Sequence, residues 1–290
     1  MVEGSGKSKA LDFLSSLTVL KTSIINKTLV VEINRPKQLN AMNEAVFEEL
    51  GLLFGSVESV LISELDLRVI VLTGCGSNFT AGLDLKSEII EQIFSKSGDT
   101  GRNGFKIYNL IKKLQSNLSA IENNPLPVIC AIQGYCLGGG TSIITCGDIR
   151  LCTKDAKFSI KEVDIGLTAD IGVLQRITKQ TGNEGYIKLV SLTGEIFTGE
   201  KAKELGLVQG VYESGEQLMK EAMKLADKIS EKSPIVIWGI KKTLNFARDN
   251  KVETSLDMIR LLNSALIQTE DIPIAVTAVL QKQKPIFPKF

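Results

Sequence analysis

The stretch that most restricts what this chain can fold into is residues 127–146, PVICAIQGYCLGGGTSIITC. Residues 127–133 form a short apolar run rich in β-branched side chains, which predicts a buried strand. Gly138, Gly139 and Gly140 break the pattern, and residues 141–146 resume it as a helix-compatible apolar run. A strand that ends in glycines and restarts as a helix leaves backbone N–H groups unpaired at the helix start. Glycines, lacking Cβ, let a ligand approach that backbone closely. Such a spot suits an anion, or a carbonyl oxygen that becomes anionic in a transition state. A tight turn with no ligand explains the same residues, and a glycine cluster alone does not choose between the two.

What chemistry could be served there is narrowed by what the chain lacks. It has no histidine among its 290 residues. That removes Ser-His-Asp and Cys-His catalysis and every imidazole-dependent zinc site. Proton transfer is left to Asp, Glu, Lys, Tyr or Cys. Cys75, Cys130, Cys136, Cys146 and Cys152 are odd in number and form no C-x-x-C pair, so neither a disulfide framework nor a zinc site is suggested. A net charge of +1 argues against broad attraction to nucleic acid or anionic membrane. No apolar run is long enough to span a bilayer.

Along the chain, residues 1–16 read as a disordered or tag-like N-terminus. Their Gly4-Ser5-Gly6-Lys7-Ser8 lacks the first glycine of a phosphate loop and follows no strand. Residues 17–25 and 28–34 read as two strands joined at Asn26-Lys27. Asn43 is placed to cap a helix over 44–63. Residues 67–73 (LRVIVLT) predict a buried strand, followed by a glycine-bearing loop over 74–84. Residues 86–103 look like a mobile insertion, and Ile107, Leu110, Ile111, Leu114, Leu118 and Ile121 set a helical period after it. Further strands are expected at 148–153, 158–160 and 207–212, and helices dominate from 171 onward. Strands alternating with helices predict a mainly parallel α/β core. The strandless helical end predicts a separate layer that packs against another subunit.

Two glycine-bearing loops, 80–84 and 137–140, each follow an apolar strand, so one N–H from each could converge on a single oxygen. Downstream, residues 161–172 (KEVDIGLTADIG) set Glu162 and Asp170 among apolar neighbours, with Gly166 between them. Two carboxylates facing one apolar pocket would have raised pKa values and could pass a proton between two carbons. Structural ion pairing on a surface is the competing explanation.

Taken with Asn34-Arg35-Pro36, Asn40-Ala41-Met42, Phe79-Thr80-Ala81-Gly82-Leu83-Asp84, Cys146-Gly147-Asp148-Ile149-Arg150 and Thr198-Gly199-Glu200-Lys201-Ala202, in that order and spacing, the chain resembles the crotonase (enoyl-CoA hydratase/isomerase) superfamily over about residues 17–285. Residues 161–176, 232–249 and 266–271 look most like its dienoyl-CoA isomerases. The resemblance implies a spiral of ββα turns over 17–195 and a helical trimerisation region over 196–290, assembled as a homotrimer or a dimer of trimers. It implies an acyl-CoA thioester as the partner. Neither metal nor redox cofactor is implied, coenzyme A being part of the substrate. Leu83 and Gly139 would form the oxyanion hole, and Ala81, Gly82, Leu83, Asp84, Leu85, Gly139 and Ser142 would line the substrate site. Residues 35–42 and Lys241 or Lys242 would approach the CoA nucleotide.

Glu162 falls on the family's base, which takes a proton from the carbon next to the carbonyl, and Asp170 on the isomerase's second acid. Ser142 stands where the family's dienoyl isomerases carry an aspartate and its hydratases a second glutamate, which speaks against hydration. The implied activity is conversion of 3,5-dienoyl-CoA to 2,4-dienoyl-CoA in unsaturated fatty-acid β-oxidation. A Δ3,Δ2-enoyl-CoA isomerase using Glu162 alone, or a non-catalytic acyl-CoA or RNA binder, are the alternatives. No clear targeting signal distinguishes peroxisome, mitochondrion and cytoplasm.

Overall fold

The computed structural model describes residues 8–94 and 99–290. In chain order its elements are α1 (Lys9–Ser16), β1 (Leu20–Ile25), β2 (Thr28–Ile33), α2 (Glu44–Gly55), α3 (Ile62–Glu64), β3 (Val69–Gly74), α4 (Glu88–Phe94), α5 (Thr100–Asn123), β4 (Val128–Ile132), β5 (Tyr135–Leu137), α6 (Gly139–Cys146), β6 (Ile149–Thr153), β7 (Lys157–Ser159), α7 (Val173–Ile177), α8 (Glu184–Thr193), β8 (Phe197–Thr198), α9 (Gly199–Glu204), β9 (Gly210–Tyr212), α10 (Gly215–Ser230), α11 (Pro234–Asp249), α12 (Val252–Leu266) and α13 (Asp271–Leu280).

Two sheets organise them. The larger runs β1-β2-β3-β4-β6-β9, with every pair parallel except the β1–β2 hairpin. The smaller runs β5-β7-β8. Successive turns of the chain leave one strand in the larger sheet and the next in the smaller one, as β4 and β5 do, then β6 and β7. Thr80, bridged to Cys136, extends the smaller sheet from the turn begun by β3. This is the α/β spiral of ββα turns that the resemblance implies.

The apolar runs of the strands are continuous because both faces of the larger sheet are covered. Ile70, Leu72, Val128, Cys130 and Ile132 face the main core with Phe47, Leu50 and Phe54 of α2. Val69, Val71, Ile129 and Ala131 alternate to the opposite face, under Leu218, Ala222 and Ala226 of α10. Burying a side chain of this size contributes roughly 1.5–3 kcal/mol.

Several expectations need correction. The N-terminal segment is not wholly irregular: Ser8 caps α1, which buries Ala10 and Leu14, while residues 1–7 lie outside the described residues. The expected boundary at residue 195 falls inside the spiral, since β8 and β9 belong to its sheets and α10 seals one of them. The helices that stand apart from the sheets begin at α11. The expected insertion over 86–103 is largely helical, in α4 and the start of α5, because Ile89 and Ile93 repeat four apart and bury against the rest; residues 95–98 lie outside the described residues. The helices expected from 171 onward begin only at Val173 with the short α7, since Gly172 at φ 118° cannot continue a right-handed helix.

Lys241, expected near a nucleotide, is buried. Its Nζ donates to the Leu126 carbonyl at 2.8 Å and pairs with Asp148 Oδ2 at 2.9 Å, tying α11 to the entry of β4. Asn40 ties together the loops after β2 and β3 in a similar way. Buried at a left-handed φ of 58°, it accepts from Arg35 N at 2.9 Å and donates to the Cys75 and Asn78 carbonyls at 2.9 and 2.7 Å. Asn40→Ala strands these groups and is expected to cost about 3 kcal/mol, read as a lowered urea midpoint at unchanged m-value.

Candidate active site

β3 and β4 lie side by side, so the loops that follow them emerge together. Thr80 N donates to the Tyr135 carbonyl at 2.8 Å and Leu137 N to the Thr80 carbonyl at 3.1 Å, which fastens the first loop along β5. The approach is close enough that a Cβ on Gly82 would lie 2.9 Å from the Leu137 carbonyl oxygen, and Gly82 itself needs φ 96°. On its other side the loop pairs with Met42, through Met42 N to the Gly82 carbonyl and Asp84 N to the Met42 carbonyl. That pairing leaves the Leu83 amide unengaged among the described residues. Gly138, at φ 51° and ψ −121°, turns β5 into α6 and makes Gly139 the first residue of that helix. First-turn amides have no intrahelical acceptor. Leu83 and Gly139 thus bring two free backbone donors, from separate loops, to the wall of one cavity of about 240 Å³.

The acids arrive on the next turn of the spiral. Gly138 N donates to the Ser159 carbonyl at 2.9 Å, setting the end of β7 beside the start of α6. Residues Lys161–Ile165 follow as a 3₁₀ turn closed by Gly166 at φ 74°. It carries the Glu162 carboxylate to within 3.5 Å of where a Cβ on Gly138 would stand. Glu162 Oε2 is buried without a hydrogen-bond partner among the described residues. Burial raises the carboxyl above its ordinary range, and the nearby Asp170 charge adds to the rise. Asp170 lines the same cavity from a more exposed position, and desolvation raises its carboxyl too. The Gln115 side chain donates to the Asp170 carbonyl at 2.7 Å and steadies that stretch. Lys161 is turned outward, its Nζ pairing with Asp164 at 2.5 Å and donating to the Gly194 carbonyl.

Of the residues expected at the site, Ala81, Gly82, Leu83, Leu85, Gly139, Glu162 and Asp170 all line the cavity. Asp84 does not; its carboxylate pairs with Arg35 at 2.9 Å and accepts from Lys86 N, which holds its pKa down despite partial burial. Ser142 is wholly buried on α6 away from the wall, its Oγ without a partner among the described residues. The helical period points that side chain into the packed interior. The residues missed are the far wall: Ile89 and Ile93 of α4, and Ile107, Leu110, Ile111 and Leu114 of α5. The period of α5 was visible in the sequence, but which side its stripe faces was not. The finished cavity is an aliphatic slot lined by two residues with free amide donors and two with carboxyls, a setting for proton movement next to a carbonyl.

Residues 24–289 match the family Enoyl-CoA hydratase/isomerase, and the chain belongs to that family. Similar proteins include the mitochondrial Delta(3,5)-Delta(2,4)-dienoyl-CoA isomerase of Mus musculus, 38% identical over 90% of this chain and 79% of that protein. The peroxisomal protein of the same name from Arabidopsis thaliana is 38% identical over 96% of this chain and 99% of its own. Among solved structures, an enoyl-CoA hydratase from Bacillus anthracis superposes with a TM-score of 0.81 at 25% identity, covering 93% of this chain and 99% of that one.

The raised carboxyl of Glu162 gives a stability prediction with a definite sign. A carboxylate whose folded pKa lies above its unfolded value opposes folding when ionised, so its contribution is fully retained below the unfolded value and lost as pH rises through the folded one. Glu162→Gln is expected to match the parent protein below pH about 4 and to be more stable near neutrality, measured as denaturation midpoints across pH.

Proposed function

We propose that this chain is a Δ3,5-Δ2,4-dienoyl-CoA isomerase of unsaturated fatty-acid β-oxidation. The observation that carries the reading is the meeting of two free amides and two carboxyls with raised pKa in one aliphatic cavity. The similarity to dienoyl-CoA isomerases over most of the chain supports it.

In this reading the thioester carbonyl accepts hydrogen bonds from the Leu83 and Gly139 amides. Ionised Glu162 removes a proton from the carbon next to it, and the electron pair spreads through the diene as a dienolate. The two amides stabilise the charge gathering on oxygen, in a setting where each such donor is worth about 3 kcal/mol. Asp170 returns a proton to the distal carbon, and the product diene is conjugated with the carbonyl. Two neighbouring acids in an apolar site resist ionising together, so the pair holds one proton readily and divides the roles of base and acid. No metal or redox cofactor enters the scheme, and coenzyme A arrives as part of the substrate. The slot between α4 and α5 takes the acyl tail.

Exposed Leu244, Leu261, Val279 and Leu280 on α11, α12 and α13 support assembly as a homotrimer or a dimer of trimers. The names of the relatives favour a mitochondrial or peroxisomal setting.

The test is to supply 3,5-dienoyl-CoA and follow the conjugated 2,4-diene by absorbance. Glu162→Gln and Asp170→Asn are each expected to lower kcat by about a thousandfold with little change in KM. Asp170→Asn with undiminished activity beside an inactive Glu162→Gln would instead mark a Δ3,Δ2-enoyl isomerase. Substrate binding with no turnover would mark a binder. A single species of monomer mass by light scattering would overturn the assembly.

A further inference from the structure

Asp170 and Ile171 form a partition. On one side lies the aliphatic cavity described above; on the other is a second chamber of about 360 Å³ that both residues also line. The two spaces differ in chemistry. The second is walled by Gln115, Gln175, Arg176, Lys179, Arg248 and Asp249, with Glu122 deeper in. Its rim residues Gln115, Gln175, Lys179 and Asp249 are exposed, so the chamber opens to solvent. Its cations are occupied: Arg176 pairs with Glu122 at 3.0 Å, Arg248 pairs with Glu122 and Asp249, and Lys179 pairs with Asp249. The chamber is therefore a solvent-open space whose cations are already paired, rather than an anion site. Glu162 does not line it. Of the two acids, only Asp170 sits between the cavity and a polar exit.

We propose that this chamber is the proton-exchange route of Asp170, so that while a ligand fills the cavity Asp170 trades its proton with solvent and Glu162 keeps its own. The inference rests on the isomerase reading. A bound acyl chain seals Glu162 in aliphatic surroundings, whereas Asp170 keeps a hydrogen-bonded path outward through groups and water. The consequence is an asymmetry between the two carbons. When 2,4-dienoyl-CoA is bound, the distal C–H bond breaks, its proton passes to the Asp170 carboxylate, and the electron pair joins the dienolate. Return of a proton from Asp170 to the same carbon restores the starting ester. If exchange has intervened in D2O, the ester comes back deuterated at that carbon without having been isomerised.

The experiment incubates the full-length protein with 2,4-dienoyl-CoA in D2O and reads deuterium at each carbon by NMR and mass spectrometry. Deuterium is expected at the distal carbon several-fold faster than at the carbon next to the carbonyl, which requires complete passage to the 3,5-isomer. Gln175→Trp, on an exposed position of the chamber wall away from the catalytic cavity, should bring the two rates towards equality while forward 3,5-to-2,4 turnover is kept. Equal incorporation in the parent protein would overturn the inference, as would an unchanged ratio in Gln175→Trp. Failure of any diene conversion would overturn the isomerase reading and this inference with it. Normal conversion without distal excess would overturn the inference alone.

Discussion

Everything at the site depends on the backbone pairing of residues 80–84 with β5 on one side and Met42 on the other. Hydrogen bonds in that short ladder fix the direction of each amide along the loop. Leu83 is the residue bridged to Met42, whose bonds run to Gly82 and Asp84 on either side, so the Leu83 amide is left over. The same close approach demands glycine at 82, where a Cβ would strike the Leu137 carbonyl, and at 138, where the chain takes a positive φ. Two free donors aimed into a cavity are therefore a by-product of how two turns of the spiral are joined. Preorganised donors of this kind need no rearrangement when charge develops opposite them.

The carboxyls depend on the same joint one turn later. Gly138 binds the Ser159 carbonyl, β7 is thereby registered against β5, and the 3₁₀ turn of Glu162 follows within three residues. Glu162 Oε2 has no donor among the described residues, unlike Asp84 on the loop after β3, which pairs with Arg35. The two acids illustrate how environment rather than residue type sets protonation: desolvation dominates at Glu162, and pairing and a backbone amide prevail at Asp84.

Buried ion pairs hold the C-terminal helices to this frame. Lys241 reaches Asp148, which also accepts from Val128 N, so α11 is anchored where β4 begins. Glu122, at the end of α5, joins Arg176 of α7 with Arg248 of α11. Removing one partner of such a pair leaves an uncompensated charge, which typically costs 3–5 kcal/mol, so these contacts specify one placement of the helices more than they add stability. With its inner side fixed in this way, the outer side of α11 to α13 keeps the exposed aliphatic surface noted above.

The sequence by itself determined a good deal: the strand–glycine–helix element around Gly138, the α/β alternation, the absence of imidazole chemistry, and Glu162, Asp170, Leu83 and Gly139 as the residues to watch. These are legible because strand period, glycine placement and acid-among-apolar pattern are local properties. Tertiary structure decided what local pattern cannot encode. Ser142 and Lys241 carry the same residue types whether they face a ligand or the interior, and packing turned both inward. The stretch over 86–103 looked loose because its polar residues outnumber the isoleucines that bind it to the cavity wall. β5 and β8 are too short to show a period, and they exist only because neighbouring turns supply the hydrogen-bond partners. That Asp170 stands between two spaces of opposite polarity follows from where α5, α7 and α11 meet, a relation among residues more than a hundred positions apart that no stretch of the chain states alone.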